Sequence, residues 1–270
     1  MKQTVRVNGN DVAYRLDGPD DAPLILFANS LAADLSMWDD NMEAVTRRYR
    51  ALRYDVRGHG QTGALPGPYS LADLADDAVG LLDALGIDKV HFVGLSLGGM
   101  FGQLFAASHP ERLLSLTLCD TASEHSAAVR NAWQTRIDTV RTGGVAAVTE
   151  ATLQRWFTPA MFTRAPQTIE RVRKMILGTS VEGYVGCSSA IRDLEHTALL
   201  HRISVPTLVM VGEQDTGAPV ALARIIEQHI PGASLVILED AAHIANMEQP
   251  AAFNRALLAF IDSIGAPARS

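Results

Sequence analysis

Cysteine is nearly absent from this chain, with only Cys119 and Cys187 in 270 residues. Two thiols are too few for a disulfide framework and have no metal-ligand spacing. Cys119, closing the run Leu113 to Leu118, is most simply a small buried hydrophobe, and Cys187 either packs in the core or lines a pocket. The eight histidines are scattered without a His-x-x-x-His pair, so no metal site and no cofactor are expected. Positive charge is also scarce. With a net charge of −7, a pI near 5.6 and no Lys/Arg-rich run, nucleic acid is excluded as an expected partner. No apolar stretch reaches the roughly 18 residues that span a bilayer. The start, Met1-Lys2-Gln3-Thr4-Val5-Arg6, lacks the apolar region of a secretory leader. These absences point to a cytoplasmic protein without a membrane partner. Its 47% hydrophobic content is ample for a buried core.

Apolar runs punctuated by turn residues suggest strands alternating with helices. Thr4 to Val7 and Val12 to Leu16 flank Asn8-Gly9-Asn10-Asp11, a tight hairpin turn. Leu24 to Ala28 and Tyr49 to Val56 read as strands buried on both faces. Ser70 can cap a helix whose apolar face carries Leu71, Leu74, Ala75, Ala78, Leu82 and Leu85, closed by Gly86. Further strands are expected at Val90 to Val93, Leu113 to Cys119, Thr207 to Val211 and Ser234 to Leu238. Helices are expected from Met100 to Ser108, around Val220 to His229 and from Gln249 to Ile264. That alternation means a mostly parallel sheet flanked by helices. Residues 122–198 break the rhythm with helix-like sequence and read as an inserted helical cap, leaving 1–121 and 199–270 as an α/β core. The insert carries nine basic and seven acidic side chains, a net +2 against −9 for the remainder. A basic lid over an acidic body would favour an anionic substrate, and uneven solvated surface charge would give the same count.

The chemistry concentrates at Gly94-Leu95-Ser96-Leu97-Gly98, between a strand-like and a helix-like run. This is a G-x-S-x-G nucleophile elbow. A serine hydroxyl needs a base and a group that orients the base. Asp215 follows the strand ending at Gly212, and His243 follows the strand ending at Leu238. Ser, Asp, His is the chain order of the α/β-hydrolase fold. Asp120, at the end of another strand, is a competing acid, and Asp215 is preferred. His59 sits in the Arg57-Gly58-His59-Gly60 turn, which this fold uses as a structural loop. Trp38, Trp133 and Trp156 either wall a pocket or fill the core.

Several segments resemble the 3-oxoadipate enol-lactonases over nearly the whole chain. They include Asn29-Ser30-Leu31 with Met37-Trp38-Asp39, Arg53 to Gly60, Gly67-Pro68-Tyr69-Ser70, Trp156-Phe157-Thr158-Pro159 and Ala190-Ile191-Arg192-Asp193. Leu97, where methionine is expected, and Gln61-Thr62-Gly63 depart from that pattern without touching the triad. The resemblance implies that Ser96 attacks a lactone carbonyl, that His243 takes its proton and that Asp215 orients the imidazole. It also implies an acyl-enzyme and an oxyanion hole made by the backbone N–H groups of Leu97 and Leu31. The substrate would be a small anionic enol-lactone of aromatic catabolism. Its carboxylate calls for a guanidinium, with Arg130, one helical turn from Trp133, and Arg192 as the candidates, and with Trp38 and Trp133 as aromatic contacts. A broad carboxylesterase or cofactor-free perhydrolase would use the same triad. A non-catalytic ligand-binding protein would not need it. Serine rather than aspartate at position 96 disfavours dehalogenase and epoxide hydrolase chemistry.

Overall fold

The computed structural model describes residues 3–264. Met1 and Lys2 of the start read above as leader-free, and the end of the expected core segment beyond residue 264, lie outside the described residues. Strands β1 (Gln3–Val7) and β2 (Asn10–Asp17) form the expected antiparallel hairpin. Its turn places Asn8 at φ 47° and Gly9 at φ 80°, a region that asparagine and glycine tolerate. Six more strands follow: β3 (Leu24–Ala28), β4 (Arg50–Tyr54), β5 (Val90–Leu95), β6 (Leu113–Cys119), β7 (Thr207–Gly212) and β8 (Ser234–Leu238). They join in one eight-stranded sheet of order β1-β2-β4-β3-β5-β6-β7-β8. Pairing is antiparallel from β1 through β4 and parallel from β4 to β8. Strands β5 and β7 are buried at every position, which is why they appear in sequence as predominantly apolar runs.

Because β3 pairs with β4 on one side and β5 on the other, the strand order reverses between β4 and β5. Ligands of open α/β sheets bind in the crevice at the carboxyl ends of the strands beside such a switch point. Ser96 immediately follows β5. Helix α1 (Asp39–Val45) follows a single 3-10 turn at Leu35–Trp38. Helix α2 (Leu71–Ala84) opens on a complete capping box. The Ser70 hydroxyl accepts from the Asp73 amide, and the Asp73 carboxylate accepts from the Ser70 amide at 2.7 Å. Helix α3 (Leu97–Ser108) starts three residues before the apolar periodicity suggests. Gly98 and Gly99 are weak helix formers, and tertiary contact overrides that propensity.

Five helices lie between β6 and β7, in the stretch expected to be inserted: α4 (Ala127–Gly143), α5 (Ala146–Trp156), α6 (Pro159–Arg164), α7 (Pro166–Leu177) and α8 (Val181–Arg192). Proline at the first position of α6 and α7 sets their starts. No regular strand lies among them in the described residues, and an isolated bridge between Glu124 and Glu195 marks the neck. Helix α9 (Val220–His229) follows β7, and α11 (Pro250–Ser263) follows β8, preceded by α10 (Ala245–Glu248). That single turn is too short to carry a periodic signal in the sequence.

Candidate active site

The elbow is a strained backbone held by its neighbours. Ser96 has φ 54° and ψ −109°, a conformation unfavourable for a residue with a Cβ and found where the surroundings over-determine it. Its amide donates to Cys119 O at 2.8 Å, and its carbonyl accepts from the Thr121 hydroxyl at 2.8 Å. Two glycines make the sharp turn sterically possible. A Cβ on Gly94 would lie 2.3 Å from Gly98 O, and one on Gly98 would lie 2.4 Å from Ala28 O. The turn therefore packs backbone against backbone, and the serine is raised at the entry to α3.

Ser96, Asp215 and His243 come together from three connections far apart in sequence. The Ser96 hydroxyl lies 3.0 Å from His243 Nε2, and His243 Nδ1 lies 2.8 Å from Asp215 Oδ2. A carboxylate only accepts, so the ring proton sits on Nδ1 and Nε2 is left free to accept from the serine. The other Asp215 oxygen accepts from the amides of Gly217, at 2.7 Å, and Ala218, at 3.0 Å. Burial pushes the Asp215 carboxyl up, but the charge and hydrogen bond of His243, helped by these two amides, outweigh it and hold the group below its usual range.

Asp120 is a different kind of carboxyl. Complete burial and the nearby Asp215 charge raise it well above the usual range, against the amides of Gly212 and Ala245. Its Oδ1 accepts from Gly212 N at 2.7 Å, and among the described residues it makes no hydrogen bond to His243, whose Nδ1 is engaged by Asp215. His59 is likewise internal: Nδ1 donates to Arg57 O at 3.0 Å, and burial lowers its pKa to about 4. Both cysteines are buried, and the Cys187 thiol is pushed up by burial, so neither presents a thiolate.

A cavity of about 340 Å³ opens beside Ser96 and His243, within the range of small-ligand sites. Leu31 lines it from the loop after β3. Leu97 is the first residue of α3, so its N–H has no acceptor within the helix. Trp133 and Trp156 face the cavity, and the Trp156 ring lies 6.4 Å from that of His243.

Trp38, expected at the substrate, is not there. It is fully buried between Phe27 and Phe253, and its ring N–H donates to Asn29 Oδ1 at 2.9 Å. A core cluster satisfies both its apolar body and its one polar atom. The two expected arginines are also corrected. Arg130 donates to His125 O and pairs with Glu195, while Arg192 is held by the neighbouring Asp193 and by Gln134, and neither lines the cavity. Arg136 and Arg155 line it instead. Arg136 stacks over Trp133 at 4.6 Å, and Arg155 reaches Thr152 Oγ1 at 3.3 Å. Among the described residues neither has an ion pair with a carboxylate, whereas most other cap cations do. Burial, and then the like charge of Arg136, lowers Arg155 to about 10. The positive charge is therefore uncompensated inside the pocket and not merely spread over the cap. Trp133 and Arg136 stand one turn apart on α4, the same spacing that nominated Arg130 on its other side. His125 is a further lining residue not anticipated from sequence, and its Nδ1 donates to Ile191 O at 2.9 Å. No grouping of His, Cys, Asp or Glu fit to hold a metal ion occurs among the described residues.

Residues 23–250 match the family described as alpha/beta hydrolase fold. The chain is 36% identical over 257 residues to 3-oxoadipate enol-lactonase 2 of Acinetobacter baylyi, covering 95% of each. Among solved structures it is similar to a hydrolase from Pseudomonas aeruginosa, with 40% identity, a TM-score of 0.93 and 98% of each chain covered. It is similar as well to an enol-lactonase from Burkholderia xenovorans, with 38% identity and a TM-score of 0.93 over 96% of this chain and 100% of that one.

Proposed function

The chain belongs to the α/β-hydrolase family, and on that premise we propose that it is a cytoplasmic serine hydrolase that opens a small anionic enol-lactone, 3-oxoadipate enol-lactone being the substrate that its relatives suggest. The observation that carries the substrate class is the Arg136–Arg155 pair, two cations without a carboxylate partner among the described residues in the cavity that also holds Ser96. A half-buried charge left unpaired is costly, and a substrate carboxylate placed between the two guanidiniums would remove that cost while fixing the lactone in one orientation.

With the carboxylate so held, Ser96 Oγ attacks the ring carbonyl as its proton passes to His243 Nε2 over the 3.0 Å contact. Asp215 stabilises the resulting imidazolium. The developing oxyanion is met by the N–H groups of Leu97 and Leu31, donors of a kind each worth on the order of 10² to 10³ in turnover. Collapse breaks the ring C–O bond, and His243 returns its proton to the enol oxygen, which stays attached to the acyl group. Water, deprotonated by His243, then attacks the acyl-enzyme, and a dicarboxylate leaves. A broad carboxylesterase would share every one of these steps and lack only the anionic preference. The discriminating measurement is kcat/KM for the enol-lactone beside that for p-nitrophenyl acetate. A preference for the lactone of 100-fold or more is expected, and equal values would reduce the assignment to a general esterase.

A further inference from the structure

Glu248 is buried, with 3% of its surface exposed, and lies outside the substrate cavity, yet it bonds to both of the bodies that form it. One oxygen, Oε1, accepts from the Thr158 hydroxyl at 2.5 Å and from the Thr158 amide at 3.1 Å. The other, Oε2, accepts from the Ala242 amide at 2.9 Å. Thr158 follows the cavity-lining Trp156 by two residues, at the α5–α6 junction of the cap. Ala242 directly precedes His243. A single side chain thus joins the segment that carries the pocket's indole to the segment that carries the imidazole.

Two further links run alongside it, one of them backbone to backbone. The Ile244 amide donates to Trp156 O at 3.1 Å, and Arg164 Nη2 donates to Glu248 O at 3.0 Å. The triad itself does not supply this restraint. It determines the distance from His243 to Ser96 and Asp215 but places no constraint on where Trp156 sits relative to the imidazole. The donors to the Glu248 carboxylate, the Thr158 hydroxyl and the Thr158 and Ala242 amides, are buried N–H and O–H groups, so removing the carboxylate has a structural cost.

We propose that Glu248 is a positioning residue that locks the cap and the His243 loop into one unit, so that pocket and base keep a common register. The proposal rests on the serine hydrolase mechanism above. A displacement of about 1 Å at a reacting group can cost on the order of 100-fold in rate, which sets the scale of the expected effect.

The test uses the full chain carrying Glu248→Gln, Thr158→Val and Thr158→Ser, with p-nitrophenyl acetate and the anionic lactone as substrates and a fluorophosphonate as a probe of Ser96. Glu248→Gln should unfold cooperatively, lower kcat on both substrates roughly 10- to 100-fold and slow fluorophosphonate labelling in parallel. Thr158→Val, a change made only on the cap side, should lower kcat roughly 3- to 10-fold on both substrates, and Thr158→Ser should recover it, a rescue that general loosening of the cap does not give. Thr158→Val with kcat and KM within twofold of the parent overturns the coupling, as does a folded Glu248→Gln of unchanged kcat. If Glu248→Gln does not fold, the Thr158 pair decides by the same criteria. Ser96→Ala serves as the control for the underlying mechanism, because retained turnover there would refute the serine hydrolase and not the coupling.

Discussion

Two carboxyls follow two neighbouring strands of this sheet, and their surroundings shift them in opposite directions. His243 and two backbone amides pull Asp215 down against its burial, while burial and the Asp215 charge push Asp120 up. Only an ionised group can stabilise an imidazolium, so Asp215→Asn should lower kcat by roughly 10⁴, the scale known for the analogous aspartate of serine proteases. Asp120→Asn, which keeps an acceptor for Gly212 N, should cost less than tenfold. Steady-state kinetics on the two variants checks this, and a reversed order would move the acid to β6. The arginines allow an equally direct comparison. Arg136→Ala and Arg155→Ala should each raise KM for the anionic lactone roughly 10- to 100-fold and leave p-nitrophenyl acetate nearly unaffected. Arg130→Ala and Arg192→Ala, whose guanidiniums are paired at the surface, should change neither, since exposed pairs are worth little. A large effect on KM at Arg192 together with none at Arg155 would refute the pocket assignment.

Among the elements, the turn from β5 into α3 has the least tolerance. A methyl on Gly98 would meet Ala28 O at 2.4 Å and Ala28 C at 2.8 Å, both backbone atoms of the central strand β3. Neither can yield as a flexible side chain would. Gly98→Ala should therefore push the elbow away from β3, costing about 1–3 kcal/mol of stability, and should slow fluorophosphonate labelling of Ser96 more than tenfold. Thermal unfolding and labelling kinetics measure the two effects, and a variant that matches the parent in both would show that the contact is not limiting. The inner strands and the helix α2 were legible because burial repeats regularly along them: β5 and β7 on both faces, α2 on one. The 3-10 turn at Leu35–Trp38 and the four-residue α10 were not, since neither is long enough to repeat a face.

Across the whole molecule, acid stability follows from histidines stored neutral. Burial lowers His59 and His91 each to about 4, and His91 Nδ1 pairs with the Ser115 hydroxyl at 2.8 Å. In the unfolded chain both would titrate near 6.5. The folded pKa lies below the unfolded one, so the stability they contribute is complete above pH 6.5 and is lost as pH falls towards 4, because only the unfolded state takes up the protons. At about 1.4 kcal/mol per unit, each withdraws on the order of 3 kcal/mol over that window. Thermal unfolding at pH 8, 6, 5 and 4.5 should show Tm falling steeply below pH 6.5, with a shallower fall in His91→Gln. A Tm that is flat down to pH 4.5 would contradict the neutral burial of these rings. The depressed carboxyl of Asp215 acts in a lower window, below its ordinary value near 3.8, so the two contributions separate along the pH axis.

What the amino-acid sequence determined by itself is local or ordered along the chain. The elbow shows because Gly-x-Ser-x-Gly is a backbone requirement written in five consecutive residues. Asp215 and His243 could be nominated as acid and base because each follows a strand with a clear apolar run, and a helical insert could be nominated because its sequence interrupts an alternating one. Tertiary structure alone decided which cation faces the cavity. Arg130 and Arg136 both stand one turn from Trp133, and only the packing of α4 against α8 and α5 selects the face that carries Arg136. Pairing was equally invisible, since Arg192 is neutralised by its own neighbour while Arg155, on another helix, has no acidic partner among the described residues. The same holds for Trp38 in the core and for Glu248 between cap and base. A side chain's role there depends on atoms brought to it from 90 residues away and more, a distance over which spacing in the chain carries no information.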